Sequence, residues 1–201
     1  MRLLLATHNE HKRREFERLL AASATPGWKL DALPDTVSLP PEDGHTFAEN
    51  ALGKARAAAA ATGRAAIADD SGIAAAALDG APGVRSARYA GENASDRQNL
   101  DKLIAEVPPG GALEYVCALA YVDPAAGLRV VFEGRCAGRM AADRKGAAGF
   151  GYDPVFLPDD GPDALTMAEL SDSQKDDISH RGRAARMLLG WIDAGRPVGV
   201  T

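Results

Sequence analysis

Two adjacent carboxylates close an apolar run in Ile67-Ala68-Asp69-Asp70-Ser71-Gly72, followed by a hydroxyl and a glycine. Neighbouring carboxylates repel unless a cation sits between them or they face apart. A hard divalent metal, which takes oxygen ligands, is one such cation. Asp, Ser and Gly are also turn formers, so a solvated turn is the plain alternative. On either reading the strand at 65–68 stops at Asp69, and Gly72 makes the turn.

Three further polar groups accompany this pair. Thr7-His8-Asn9-Glu10-His11-Lys12 links a short apolar strand to a helix pattern, with Asn9 as a candidate N-cap. Free N–H groups and the positive end of the helix dipole make such a turn an anion site. Lys12 in the first turn opposes that dipole, so it is either a surface lysine or placed to meet an anion. Phe150-Gly151-Tyr152-Asp153 combines aromatic faces with a glycine and a carboxylate, and Lys175, His180 and Arg181 form a cationic group. Cations and a helix N-terminus suit a phosphate chain. Asp69, Asp70 and Glu42 suit a magnesium ion bridging phosphate oxygens. A Phe or Tyr ring suits stacking on a base. A nucleoside triphosphate satisfies every group, whereas a sugar phosphate leaves the aromatic residues without a purpose.

Several other chemistries are absent or weak. There is no GxxxxGK[ST] phosphate loop, and the glycines of 146–151 are in the wrong order for a dinucleotide fingerprint. Ser71 is not in a G-x-S-x-G elbow. His8 and His11 lack a third nitrogen or sulfur ligand nearby for zinc. The chain has 201 residues, 46% hydrophobic and 25% charged, with a net charge of −5. That balance disfavours nucleic acid, whose backbone calls for a basic face. No run approaches the ~18 apolar residues of a membrane span, and the N-terminal run is short for a signal peptide. Cys117 and Cys136 lie in apolar, strand-like runs and read as buried thiols. A soluble, cytoplasmic setting follows.

The positioning elements read as follows. A strand at 3–6 leads to a helix with Phe16, Leu19 and Leu20 inward. A loop at 34–44 ends near Glu42. Thr46 and Glu49 form a capping box for a helix to about Thr62, closed by Gly63. Its Ala51, Leu52, Ala55, Ala58 and Ala59 face a sheet, while Lys54 and Arg56 are expected in solvent, although Asn50 and Lys54 share a face. Arg85, Arg88 and Tyr89 suggest a mobile basic loop. Ser95 and Gln98 cap another helix. Strands at 113–122 and 128–137 form a hairpin around Asp123-Pro124-Ala125-Ala126-Gly127. A strand at 155–157 follows, then a short helix capped by Thr166 and Glu169, a polar stretch at 171–177, and a last helix with Ala185, Leu188, Leu189 and Ile192 buried. Strands alternating with helices, then a hairpin, give an α/β fold with a mixed, twisted central sheet flanked by helices.

These motifs, in this order, resemble one family. Thr7-His8-Asn9-Glu10-His11-Lys12 is similar to its T-x-N-x-x-K, and Thr46-Phe47-Ala48-Glu49-Asn50-Ala51 to its T-F-x-E-N-A. Ala68-Asp69-Asp70-Ser71-Gly72, Gly80-Ala81-Pro82-Gly83-Val84-Arg85-Ser86-Ala87-Arg88-Tyr89, Gly149-Phe150-Gly151-Tyr152-Asp153-Pro154 and Ile178-Ser179-His180-Arg181-Gly182 resemble the rest. The family is that of the inosine/xanthosine triphosphate pyrophosphatases, the Ham1/RdgB-like house-cleaning enzymes, and the resemblance runs from residue 2 to about 193. His8 replaces a frequent glycine, and Asp176 a frequent asparagine.

The resemblance implies one domain over 1–201 with two lobes, the second roughly 110–160, an active-site cleft between them, and a homodimer. It implies Mg²⁺-dependent hydrolysis of ITP, dITP and XTP to the monophosphate and pyrophosphate. By motif position Asp70 is the proton acceptor and a metal ligand, with Glu42 a second metal carboxylate. Thr7, His8, Asn9, Glu10, His11, Lys12, Ser71, Phe150, Gly151, Tyr152, Asp153, Lys175, His180 and Arg181 fall on substrate-binding positions. Asp69 stays open between a supporting carboxylate, a metal ligand and the base. A pyrophosphatase for modified pyrimidine or methylated nucleotides is the near alternative. A nucleotide-binding regulator is the distant one, and it has no need of Asp69-Asp70.

Overall fold

The computed structural model describes residues 2–21, 29–162 and 164–196. Met1 and the last residues of the 1–201 span therefore lie outside the described residues. Among these, six strands form one sheet in the order β2-β1-β3-β4-β5-β6. They are β1 (Arg2–Leu5), β2 (Lys29–Ala32), β3 (Ala66–Ala75), β4 (Ala112–Asp123), β5 (Leu128–Met140) and β6 (Phe156–Pro158). β1 runs parallel to β2 and β3, and β6 antiparallel to β5. Four residues join β4 to its neighbour β5, the expected hairpin. The sheet is mixed and the fold α/β, as the alternation of elements predicted.

Contacts divide the chain into two compact units. The first holds residues up to Asp70, then Cys117–Gly134, then Arg181 onward. Its helices are α1 (Glu10–Ala21), α2 (Phe47–Thr62) and most of α5 (His180–Asp193). Successive strand residues point to opposite faces, and here each face has its own core. Leu3, Leu5, Ile67, Cys117, Leu119 and Tyr121 pack with Phe16 and Leu19 of α1 and with Ala185, Leu188 and Trp191 of α5. Leu4, Ala66, Ala68, Ala118 and Ala120 pack with Ala51, Ala55, Ala58 and Ala59 of α2. One face is thus built of large side chains and the other mostly of alanine where α2 meets the sheet. The Thr46–Glu49 capping box and the left-handed Gly63 (φ 66°) bound α2 where the sequence placed them.

The second unit comprises Ser71–Val116 and Arg135–His180. It contains the far halves of β3, β4 and β5, with α3 (Asp96–Glu106) and α4 (Asp172–Ile178). Its core joins Ile73, Leu100, Leu103, Tyr115, Met140, Tyr152, Phe156 and Met167. Arg85 and Arg88 lie in a 3₁₀ helix, Gly83–Arg88, rather than in a mobile loop. The polar stretch at 171–177 falls on α4, whose N-cap Ser171 forms a capping box with Gln174. The Thr166–Glu169 pair closes a turn instead of opening a helix, with the Thr166 N–H donating to Glu169 Oε2 at 2.8 Å.

β3 departs furthest from its expected course. The strand does not stop at Asp69; it runs through Asp69-Asp70-Ser71-Gly72 to Ala75. Gly72 is therefore no turn residue. A Cβ there would lie 2.3 Å from Ser86 Oγ and 2.6 Å from the Gly83 carbonyl oxygen, so glycine serves close approach. Ser86 occupies that space to accept the Ile73 N–H at 2.8 Å. Gly72→Ala is expected to destabilise the protein by about 1–3 kcal/mol, the usual cost of overpacking. Adding Ser86→Ala should not restore full stability, because the Gly83 carbonyl remains in the way. Urea unfolding of the single and double variants checks both statements.

Candidate active site

The pleat of β3 decides what each carboxylate meets. Asp69 shares the face of Ile67, toward α1 and α5, and Asp70 the face of Ala68, toward α2. The two acids face apart, the second of the two ways in which their repulsion can be relieved.

Asp69 is fully buried. Its Oδ2 lies 2.9 Å from Lys12 Nζ and 3.5 Å from Arg181 Nε. Arg181 in turn donates to Glu15 Oε2 at 3.0 Å. Burial alone would raise the Asp69 pKa, but the charges of Lys12, Arg181 and Lys54 outweigh it and hold the carboxyl well below the usual range. The anion that Lys12 meets is therefore Asp69. The first turn of α1 is capped as expected: Asn9 Oδ1 accepts from His11 N at 2.9 Å and Lys12 N at 3.1 Å. Thr7 Oγ1 accepts from Asn9 N at 3.2 Å. His8, Glu10 and His11 are exposed, and Glu10 bonds to Arg13.

Asp70 sits in a different electrostatic setting. Its Oδ2 accepts from Asn50 Nδ2 at 2.9 Å. Burial pushes its pKa up, Lys54 opposes that, and the charge of Glu42 adds to it, leaving the carboxyl above its ordinary value. Lys54, expected in solvent, is only 6% exposed and bonds to Glu42. It lies one turn from Asn50 on the sheet-facing side of α2. Burial lowers its pKa, but Asp69, Glu42 and Asp70 together raise it, so it stays charged.

Among the described residues no three His, Cys, Asp or Glu side chains form a ready-made metal cage. A magnesium ion does not require one, since it keeps waters and takes one or two carboxylates plus substrate phosphates. Asp70 and Glu42 carry carboxylate oxygens of this kind, and the charge of Glu42, which adds to burial in raising Asp70, is what a cation would offset.

The second unit gathers the aromatic group. Asp153 is buried and accepts three hydrogen bonds, from Tyr115 Oη (3.1 Å), Lys175 Nζ (2.7 Å) and Phe150 N (3.0 Å). Lys175 Nζ lies 5.3 Å from the Phe150 ring centroid. His180 is buried and stacks on Tyr115. Tyr152 points into the core, its hydroxyl donating to the Ser86 carbonyl at 2.7 Å, while Phe150 is half-exposed beside Gly151. Ser71 follows Asp70 on β3 and is partly buried. Glu15, Asn50, Lys54 and Tyr115 were not singled out as site residues. Asn50 stands in the T-F-x-E-N-A motif, and the i, i+4 spacing of Asn50 and Lys54 on a small-residue helix face is the other signal.

A family model described as the Ham1 family matches residues 3–191. The chain belongs to the Ham1 family. It is 47% identical over 197 residues to a dITP/XTP pyrophosphatase of Mycolicibacterium paratuberculosis, covering 95% of each chain. It is 49% identical to one of Frankia alni, covering 94% of this chain and 95% of that protein. A Ham1 protein structure from Coxiella burnetii superimposes with a TM-score of 0.83 at 36% identity, over 96% of this chain and 99% of that one. The family and fold that the motifs implied are those found. No helix of the described residues is long and apolar enough to cross a membrane.

Asp69 gives this site a pH signature. Its folded pKa is depressed, so its stabilisation is complete above the ordinary unfolded value of about 4 and is lost as pH falls through the lower folded value. Asp69→Asn is expected to cost about 3–5 kcal/mol at pH 7, the penalty for unpairing a buried charge. The gap from the unaltered protein should be the same at pH 5 and narrower at pH 3. Urea titrations at the three pH values measure it; a gap that widens toward pH 3 contradicts the assignment.

Proposed function

We infer that the chain hydrolyses non-canonical purine nucleoside triphosphates, namely ITP, dITP and XTP, to the monophosphate and pyrophosphate, and so cleanses the nucleotide pool. The observation that carries this reading is the division between the two carboxylates of β3. Asp69 is held ionised by two cations on one face, while Asp70 on the other is held above its ordinary pKa, beside Glu42. Relatives named dITP/XTP pyrophosphatase, 47–49% identical over nearly the whole chain, support the substrate class.

A general base works best when its pKa approaches the operating pH. The raised Asp70 fits that role, and its hydrogen bond from Asn50 fixes the carboxylate plane. Asp70 orients a water and takes its proton as the oxygen attacks the α-phosphorus in line; pyrophosphate leaves. Asp70 and Glu42 would hold Mg²⁺, which would offset the negative charge of the phosphate chain. Lys12 and Lys175 neutralise negative charge on the phosphate chain, where preorganised cations act most strongly. Asp69 is too firmly ionised and too deeply buried to serve as the base, and its part is to hold Lys12 and Arg181 in place. Phe150 takes the face of the base. His180 and Arg181, at the start of α5, offer donors to O6 of hypoxanthine or xanthine. Adenine presents an amino donor at that position, and a donor facing a donor is a costly mismatch. Homodimeric assembly and a cytoplasmic setting belong to the same reading, on the strength of the motif resemblance and the buried thiols.

Asp70→Asn separates function from stability. Because burial and Glu42 disfavour its charge, Asp70 detracts from stability above the ordinary carboxylate range. The variant is expected to lose about 10³-fold or more in turnover, combining base and metal effects. Its Tm should match or exceed that of the unaltered protein. The assay is pyrophosphate against phosphate release from dITP, XTP, dUTP and 5-methyl-UTP, with and without Mg²⁺, beside a thermal melt. Retained dITP turnover in the variant, or preference of the unaltered protein for a pyrimidine, rejects the assignment.

A further inference from the structure

We propose that Tyr115 is a positioning residue for substrate selection: its ring fixes the plane of His180, and its hydroxyl fixes Lys175 through Asp153. The proposal rests on the assignment of His180 and Lys175 to the nucleotide given above. Tyr115 lies on β4 and is buried, its ring against His180 and its hydroxyl on Asp153. Its ring and the His180 imidazole are parallel, with centroids 4.6 Å apart and planes 6° apart. Phe156 packs against the same tyrosine, with centroids 4.5 Å apart and planes tilted by 42°.

The two ends of Tyr115 do different work. Rotation of an imidazole about its last side-chain bond is soft, so the ring plane is set by what lies against it. A flat, parallel neighbour holds that plane; an aliphatic side chain does not. The aim of a ring N–H at an acceptor follows from that plane, and discrimination between a 6-oxo and a 6-amino purine follows from the aim. The hydroxyl acts elsewhere. It supplies one of three donors to the buried Asp153 carboxylate, the others being Lys175 Nζ and Phe150 N. Removing that donor frees the carboxylate to turn and draws the Lys175 ammonium with it. Supporting contacts of this kind decide how precisely a binding group is held. They also imply that ring and hydroxyl can be separated by experiment.

Tyr115→Phe keeps the flat ring and loses the hydroxyl, while Tyr115→Leu loses both. Steady-state pyrophosphate release from dITP and dATP is measured for the unaltered protein and both variants. Tyr115→Phe is expected to raise KM for the two nucleotides alike, by roughly fivefold, the size of one ordinary net hydrogen bond. Its dITP-to-dATP ratio of kcat/KM should stay as it was. Tyr115→Leu is expected to lower that ratio by about tenfold or more. A merely structural role would reduce the active fraction without moving the ratio. An unchanged ratio in Tyr115→Leu, or an unchanged KM in Tyr115→Phe, overturns the proposal. The latter result stands even where the leucine variant does not fold. Absence of pyrophosphate release from dITP by the unaltered protein would instead reject the functional reading beneath it.

Discussion

A carboxylate with no solvent exposure, held between two cations, underlies the arrangement of the first unit. Asp69 brings Lys12 of α1 and Arg181 of α5 onto one face of β3. Removing such a charge from water is costly, and the attraction of its partners offsets that only when both are held in place. Here α1 is fixed by its Asn9 cap, and α5 by the packing of Ala185, Leu188 and Trp191. Glu15 balances Arg181 from the far side. The charge of Asp69 is thereby held mainly from its own face, with Lys54 on the α2 face acting on both carboxylates.

The opposite face is shaped by small residues. Alanines on α2 meet alanines on β3 and β4, so helix and sheet approach closely enough for the short Asn50 side chain to reach Asp70. The same approach brings Lys54 under cover, where it stays charged because three carboxylates surround it. Packing and electrostatics are thus coupled: the alanine layer is what allows an amide and an ammonium to act on Asp70.

Features carried by neighbouring residues were legible in the sequence. The capping boxes of α2 and α3, the β4–β5 hairpin and the motif order all depend on spacing within a few residues, and all appear as expected. The reading of Asp69-Asp70 as the end of a strand failed for a physical reason. Two charges in mid-strand are unfavourable on local grounds, and the partners that reverse the balance come from distant parts of the chain. Glu15 and Arg181 are 166 residues apart, a relation no local pattern encodes. Tyr115 shows the same limit from another direction. In the sequence it is one apolar residue of a strand, and only the fold sets it beside His180 and Asp153.

Both cysteines are wholly buried, Cys117 in the core beneath α1 and α5 and Cys136 in that of the second unit. Burial first, and then the charge of Asp69, pushes the Cys117 thiol far up. Oxidising and nitrosating agents attack exposed thiolates, and neither sulfur offers one. Nitrosation is also a chemical route by which an amino purine becomes a 6-oxo purine. Neither thiol is thus open to the same chemical stress that creates the molecules the protein removes.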